Sequence, residues 1–480
     1  MSGKIILLEL NEVPYKVIDR YLAERKGSFL AKVLPRMSQY TCRCEDGVQL
    51  DPWISWPTLH RGVSDVEHGI YHLGQSVEDI DKEYPPLWRV LKSGGKTVGV
   101  FGSLTSSATP ADVRDYSFYV PDYFADEVFA HPASLLPFQE LNLALTRKSA
   151  RNVSRALPSR LALRFLASAL PLGVTFNTIF NLGKQLLGEL RDPVLRVRRR
   201  SLQPLLMADL FIKQLDSKRP DFASFYTNHV AAAMHRYWAA LFPEDYIGDN
   251  KMPDEWVERY KDEILVAMDY FDLILKKFVD FVDANPEYRL VITSSLGQDA
   301  IPAEKTQEFL TITNLDKFIS ALGLSKNEVV VRPAMVPCST VIVAREKIEV
   351  VRSTLAGLSI NDTSMLESVK PSAPLSYDLQ ADGTLHLFIQ WNDYKGPATV
   401  DMNGQARAFS DLGLGMMAHE DGVNCTAQHV RDGSLLIYGK GVVANSARLP
   451  VGSTAVAPSI LSYLGVPVPA YMRADRGLLA

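Results

Sequence analysis

Residues 4–10, KIILLEL, form an almost unbroken apolar run. A strand buried on both faces of a parallel sheet reads this way, because neither face alternates with solvent. From 14 to 33 the apolar spacing becomes helical. A helix-like stretch at 84–93, a Gly-Gly turn and a second apolar run at 97–102 repeat the strand–helix–strand rhythm. Residues 259–283 predict a long amphipathic helix, which Asn285-Pro286 ends before a strand at 289–293. The chain closes on a predicted helix over 454–464, with Gly465 at its end and Pro467 beyond. This order predicts an α/β fold: a doubly wound, mostly parallel sheet with helices on both faces.

Two stretches break the rhythm and divide the chain. Core segments are expected at 1–125, 216–330 and 411–480. Between them, 126–215 reads as a basic helical insertion, with twelve Lys/Arg from Arg147 to Arg200 against Glu189 and Asp192 alone. Apolar residues are interleaved throughout it, as in LALRFLASALPLGVTFNTIFNLG (161–183). It is either a cap that meets membrane or a lipid-linked anionic substrate, or a helical insertion whose basic face is solvated or pairs with a second subunit. The second stretch, 331–410, is rich in β-branched residues and turn signals and predicts an antiparallel β-rich extension.

Composition narrows the classes. At 480 residues and 47% hydrophobic the chain can bury a large core. Four scattered cysteines (Cys42, Cys44, Cys338, Cys425) do not make a disulfide framework, and Cys42-Arg43-Cys44 reads as packing in a strand rather than a metal clip. The opening MSGKIILLEL lacks the pattern of a signal peptide, and no apolar run is long enough to span a bilayer. A cytoplasmic protein is expected, peripheral at a membrane if 147–200 docks there. The basic stretch lacks an aromatic platform, so nucleic acid is not expected as a partner. P-loop, GxGxxG and GxSxG signatures are missing from their usual contexts.

Ligands of an open parallel sheet sit beyond the carboxyl ends of its strands, so the residues after each strand are the candidates. The first strand delivers Asn11 and Glu12. The segment DPWISWPTLHRG (51–62) carries Thr58 after a proline, where it could open a helix, with His60 and Arg61 beside it. A strand at 222–226 delivers Asn228 and His229, with His235 on the following helix. The strand at 289–293 delivers Ser294, Ser295, Leu296, Gly297 and Gln298, and His419 follows within MAHEDG.

The order of these segments resembles the phosphodiesterase and nucleotide pyrophosphatase branch of the alkaline phosphatase superfamily. LLELNE is similar to its first-strand motif, WPTLHRGV to its nucleophile segment with Thr58 at the attacking position, and HGIYHLG (68–74) to the element that follows. TNHVAAAMHRYWAALFPEDY (227–246) resembles a segment with Asp, then His, then aromatics. SSLG (294–297) stands where the family has Ser-Asp-His-Gly, and APSILSYLGVPVPAYM (457–472) resembles the closing helix and loop. The likeness does not reach 125–215 or 330–410.

The resemblance implies a two-metal phosphoester hydrolase, and the departures alter that expectation. Asn11, Asn228, Ser295 and Leu296 stand where the family has metal-binding Asp, Asp, Asp and His. Asn is a weak neutral ligand and Leu has no donor atom, so the constellation cannot hold two zinc ions. It implies no cofactor, or one divalent Zn or Mn held by His235, His419 and Asn228 with Glu12 or His229 helping. In that reading Thr58 is the nucleophile, His60, His229, His235 and Glu12 do acid–base work, and Asn11, Arg61, Asn228 and Gln298 hold substrate. The substrate expected is a phosphoester or related anionic ester, small or linked to lipid or glycan, that is hydrolysed or transferred. A binding protein on an old hydrolase fold and a metal-free acid–base biosynthetic enzyme are the alternatives. A homo-oligomer is open. A sulfatase is excluded, because TLHRG is not the C/S-x-P-x-R motif.

Overall fold

The computed structural model describes residues 3–479 except 108, 149–158, 304, 370–372, 420–421 and 474–476. An eight-stranded sheet runs through it. In chain order its strands are β1 (Lys4–Leu10), β2 (Ser38–Arg43), β3 (Val98–Phe101), β4 (Phe118–Val120), β5 (Phe222–Thr227), β6 (Tyr288–Thr293), β7 (Asp432–Gly439) and β8 (Asn445–Gly452). They lie side by side as β8-β2-β7-β6-β1-β5-β3-β4. The block β6-β1-β5-β3-β4 is parallel, and so is β8 with β2; β7 runs antiparallel to both its neighbours. β1 pairs in register with β5 (Leu10 opposite Thr227) and with β6 (Glu9 opposite Thr293), so the three strands end together. Asn11, Glu12, Asn228 and Ser294 therefore leave the sheet along one edge.

Both faces of the sheet are covered, as the continuous apolar runs require. Ile6, Leu8 and Leu10 enter one core, and Ile5 and Leu7 the other. Seven helices matter below: α1 (Pro52–Arg61), α2 (Ser159–Ala169), α3 (Phe176–Arg191), α4 (Arg199–Lys218), α5 (His229–Leu241), α6 (Glu263–Ala284) and α7 (Val456–Tyr463). Against β5, Phe211 of α4 sits 5.1 Å from Phe225, and it stacks on Phe278 of α6 at 5.3 Å. On the other face, Trp56 and Leu59 of α1 pack with Ile460 and Leu461 of α7.

The expected strands and helices are present, and the divisions between lobes shift. The expected boundary at 215 falls inside α4, whose Leu205, Ala208, Phe211 and Leu215 belong to the core. Part of the insertion, 149–158, lies outside the described residues. The β-rich lobe is wider than 331–410: Glu308–Ile312 pairs with both Trp391–Asn392 and Leu414–Ala418, and Leu310 and Leu414 share its separate core. His72 of the main lobe clasps it through Asp378 at 2.7 Å and stacks on His386 at 4.2 Å.

Candidate functional site

Glu12 follows the last residue pair of β1 with φ +62, a left-handed conformation that costs a non-glycine residue energy. That turn carries its buried carboxylate to two imidazoles. Oε2 lies 3.0 Å from His235 Nε2 and 3.3 Å from His429 Nε2. One ligand atom from each of Glu12, His235 and His429 lies within 4.8 Å of the others. His235 stands on α5. His429 lies on a short strand, Ala427–Val430, that pairs with Gly297–Ala300 and sets His429 opposite Gln298.

Neighbouring groups fix this arrangement. Asn11 Nδ2 donates to Glu12 Oε1 at 2.6 Å and to Asn228 Oδ1 at 2.7 Å, while Asn11 Oδ1 accepts from Trp56 Nε1 at 2.7 Å. Gln298 donates to Glu12 Oε2 and to the Ala231 carbonyl. His235 Nδ1 faces the Ala427 carbonyl at 3.2 Å, and His429 Nδ1 the Leu50 carbonyl at 2.8 Å. Each Nδ1 donates there, so each Nε2 is the nitrogen turned toward Glu12. Among the described residues, the buried Gln298 Oε1 has no hydrogen-bond partner, and His429 Nε2 has only its 3.3 Å approach to Glu12.

The electrostatics couple the group tightly. Burial alone would raise the Glu12 carboxyl, but the charges of His429 and His235 outweigh it and hold Glu12 well below the usual carboxylate range. Burial would lower His429, yet Glu12 and then Asp51 push it up to about 9. Asp51 is itself raised, first by burial. It caps α1, accepting from the Trp53 N–H at 2.9 Å, so the first turn of α1 opens beside the histidines.

Of the residues expected from the sequence, Asn11, Glu12, Asn228, His235 and Gln298 meet here. The others do not. Thr58 does not open a helix: Asp51-Pro52 is the stronger start signal, and Thr58 falls in the last turn of α1, fully buried. Its hydroxyl donates to Asp46 Oδ1 at 2.6 Å and lies 2.9 Å from His68 Nε2. His68 Nδ1 accepts from the Ile70 N–H, so Nε2 carries the proton and Thr58 accepts it; the only base facing Thr58 among these partners is the Asp46 carboxylate. His60 turns away to Glu9 Oε1 at 3.0 Å, between Trp56 and Trp88. Arg61 is committed to a buried ion pair with Asp81 at 2.6 Å. His229 is held by Thr227 Oγ1 at 2.6 Å, lowered to about 3 by burial, and lines a separate cavity of ≈ 10 Å³.

His419 is replaced by His429 in the metal reading. It follows Leu414–Ala418 in the β-rich lobe, where its ring stacks on Phe309 at 4.7 Å. Ser295 binds Ser55 at 2.7 Å and Leu296 is core, so neither contributes to the group. Both cysteines of the CxC are buried; burial pushes Cys42 up to about 12, and Cys44 Sγ contacts Asp46 Oδ2 at 3.1 Å. Sequence reasoning missed His429 and Asp51. The signal for Asp51 was present, as an Asp-Pro pair before an apolar helix; for His429 the flanking AQHV gives no more than a short strand.

No family model matches this chain, and no curated protein matches it in sequence. Among solved structures it is similar to murine ectonucleotide pyrophosphatase/phosphodiesterase 5, at 12% identity and TM-score 0.43, covering 99% of this chain and 98% of that one. An inactive variant of the murine protein in complex with AMP gives 13% identity, TM-score 0.42 and the coverage 99% and 98%. The human protein gives 11%, 0.40, 98% and 97%. Likenesses this distant carry no residue's role over to this chain.

Proposed function

We propose that this chain is an enzyme that holds one divalent cation, Zn or Mn, at Glu12, His235 and His429 and acts there on an anionic ester, a phosphoester first. The observation that carries this is the convergence of two imidazoles and a carboxylate, with each Nδ1 tied to a backbone carbonyl and both Nε2 atoms turned on the Glu12 carboxylate. Two His and one carboxylate, oriented in this way, are a donor set that suits such a cation. Such a cation, held by Glu12, His235 and His429, would supply positive charge for polarising a phosphoryl oxygen and for lowering the pKa of water. His235 is 33% and His429 20% exposed at the side chain, so the site is reachable from solvent.

The chain's own residues would do the rest. Asn11 and Gln298 hold the Glu12 carboxylate in place. Asn228, exposed and at the start of α5 with no side-chain cap bond, leaves the first amides of that helix to an anionic group. Asp51, raised by burial, is the acid–base group beside the histidines. Thr58 has no part in this scheme. Turnover of bis(p-nitrophenyl) phosphate by metal-supplemented protein, compared with His235→Ala, tests it. Hydrolysis that depends on added metal and is lost in the variant supports the reading; unchanged hydrolysis in the variant refutes it.

A second reading, a binding protein without chemistry, is favoured by one observation. With His429 pushed up to about 9 and Glu12 held low, the group closes as an ion pair without any cation. A chain that neither retains metal nor turns over any phosphoester supports this second reading.

A further inference from the structure

Helix α3 turns its apolar side outward. Phe176, Ile179, Phe180, Leu186, Leu187 and Leu190 are exposed, Phe176 by 79% and Leu190 by 82%, whereas its buried residues are Thr178, Gln185 and Glu189. At about 100° per residue the six apolar residues fill a stripe roughly 120° wide, and the buried polar residues lie opposite. A globular helix normally shows the reverse.

Specific bonds hold α3 in this orientation. Arg199 clamps Glu189 through Nε and Nη2, at 2.9 and 2.5 Å from Oε2. Gln185 donates to Glu189 Oε1 at 3.1 Å and to the Leu195 carbonyl at 2.6 Å. Rolling the helix to bury its leucines would break all of these. Helix α2, joined to α3 by a short turn, buries Phe165 and Ala169 in the core but also exposes Leu163 and Leu166, with Leu170 exposed just past its end. On the helical wheel basic residues border both stripes on one side, Arg160 on α2 and Lys184 and Arg191 on α3, while Arg164 lies further round and pairs with Glu140 at 2.6 Å. Across 159–198 the acidic residues are Asp192 and the clamped Glu189.

We propose that α2 and α3 dock this protein on an anionic lipid bilayer, lying in its interface with the Leu/Phe stripes in the acyl boundary and the basic borders at the phosphates. The chemistry favours lipid over a second copy of the chain. A two-fold contact through these stripes would set basic borders against each other, while anionic headgroups complement them. No helix among the described residues is long and apolar enough to cross a membrane, so the pair lies on the surface. The inference stands independently of the Glu12 site.

The test is flotation of the full chain with vesicles of phosphatidylcholine alone and of phosphatidylcholine mixed with phosphatidylglycerol. The unaltered chain floats with the mixed vesicles, and raised salt weakens it. The variant Phe176→Ser/Phe180→Ser/Leu187→Ser binds at least roughly tenfold less, and Lys184→Glu/Arg191→Glu loses roughly tenfold or more on the anionic vesicles. Thermal melts of both variants match the unaltered chain, because the substituted side chains face solvent. Phe180→Trp shows a blue-shifted emission on the mixed vesicles, and brominated lipid quenches it. Absence of flotation, or flotation that the variants do not change, overturns the proposal. So does a lipid-free dimer that the serine variant converts to monomer, which would assign the stripe to a second copy.

Discussion

Glu12→Gln tests whether the carboxylate and His429 are one electrostatic unit. In the metal-free protein His429 rises from 6.5 to about 9, and Glu12 is the largest of the causes that raise it. At about 1.4 kcal/mol per unit the whole shift is worth roughly 3 kcal/mol. Burial opposes the rise while Asp51 and the Leu50 carbonyl add to it, so Glu12 is worth on the order of the net shift, about 2–3 kcal/mol. A group raised in the folded state stabilises fully below its unfolded pKa and loses that stabilisation as pH climbs through the folded value. The protein stripped of metal with chelator should therefore be most favoured by this pair near pH 6 and lose the contribution between about 6.5 and 9. Glu12, depressed, would lose the same contribution only at the acid end, as pH falls below its unfolded 4.5. Urea unfolding at pH 6 should show Glu12→Gln less stable by about 2–3 kcal/mol, and at pH 10 the difference should close. A variant equally destabilised at both pH values, or a parent whose stability does not fall through that window, would refute the coupling.

Other consequences are as direct. Thr58→Val removes the donor to buried Asp46 and should cost about 1–3 kcal/mol in urea unfolding while leaving metal content and phosphodiester turnover unchanged; lost turnover in a folded variant would restore Thr58 to the chemistry. Asp378→Asn should weaken the clasp between the main and β-rich lobes, because Asp378 is held low despite burial by its hydrogen bond and charge contact with His72. That stabilisation is present above the unfolded pKa of 3.8 and lost as pH falls, so the variant should differ from the parent near neutrality and converge with it in acid, read by thermal melts.

The strand and helix order was legible because each central strand is apolar on both faces, and KIILLEL, TVGVF and RLVIT carry no alternation to confuse them. Lobe boundaries were less so. Helix α4 is as basic at its start as the insertion it follows, and only packing of Phe211 on Phe225 and Phe278 places it in the core. At the site, Asn11, Glu12, Asn228 and Gln298 were found by their position after parallel strands, a rule of topology that needs no side-chain geometry. Thr58 and His419 were placed by motif likeness, and neither stands beside Glu12. One helical register separates a capping position from the interior of α1, and ten residues separate His419 from His429 across two different lobes. Spacing along the chain does not measure those distances. Amphipathy of α3 was also visible, but not which face it buries; that depends on Arg199 and the Leu195 carbonyl, which periodicity does not encode.

The most direct test of the central claim is the metal content of the protein purified without chelator, beside His429→Ala and His419→Ala. The account predicts about one Zn or Mn per chain, lost with His429→Ala and kept with His419→Ala. Metal that survives His429→Ala or departs with His419→Ala would contradict it, and so would a parent that takes up neither cation.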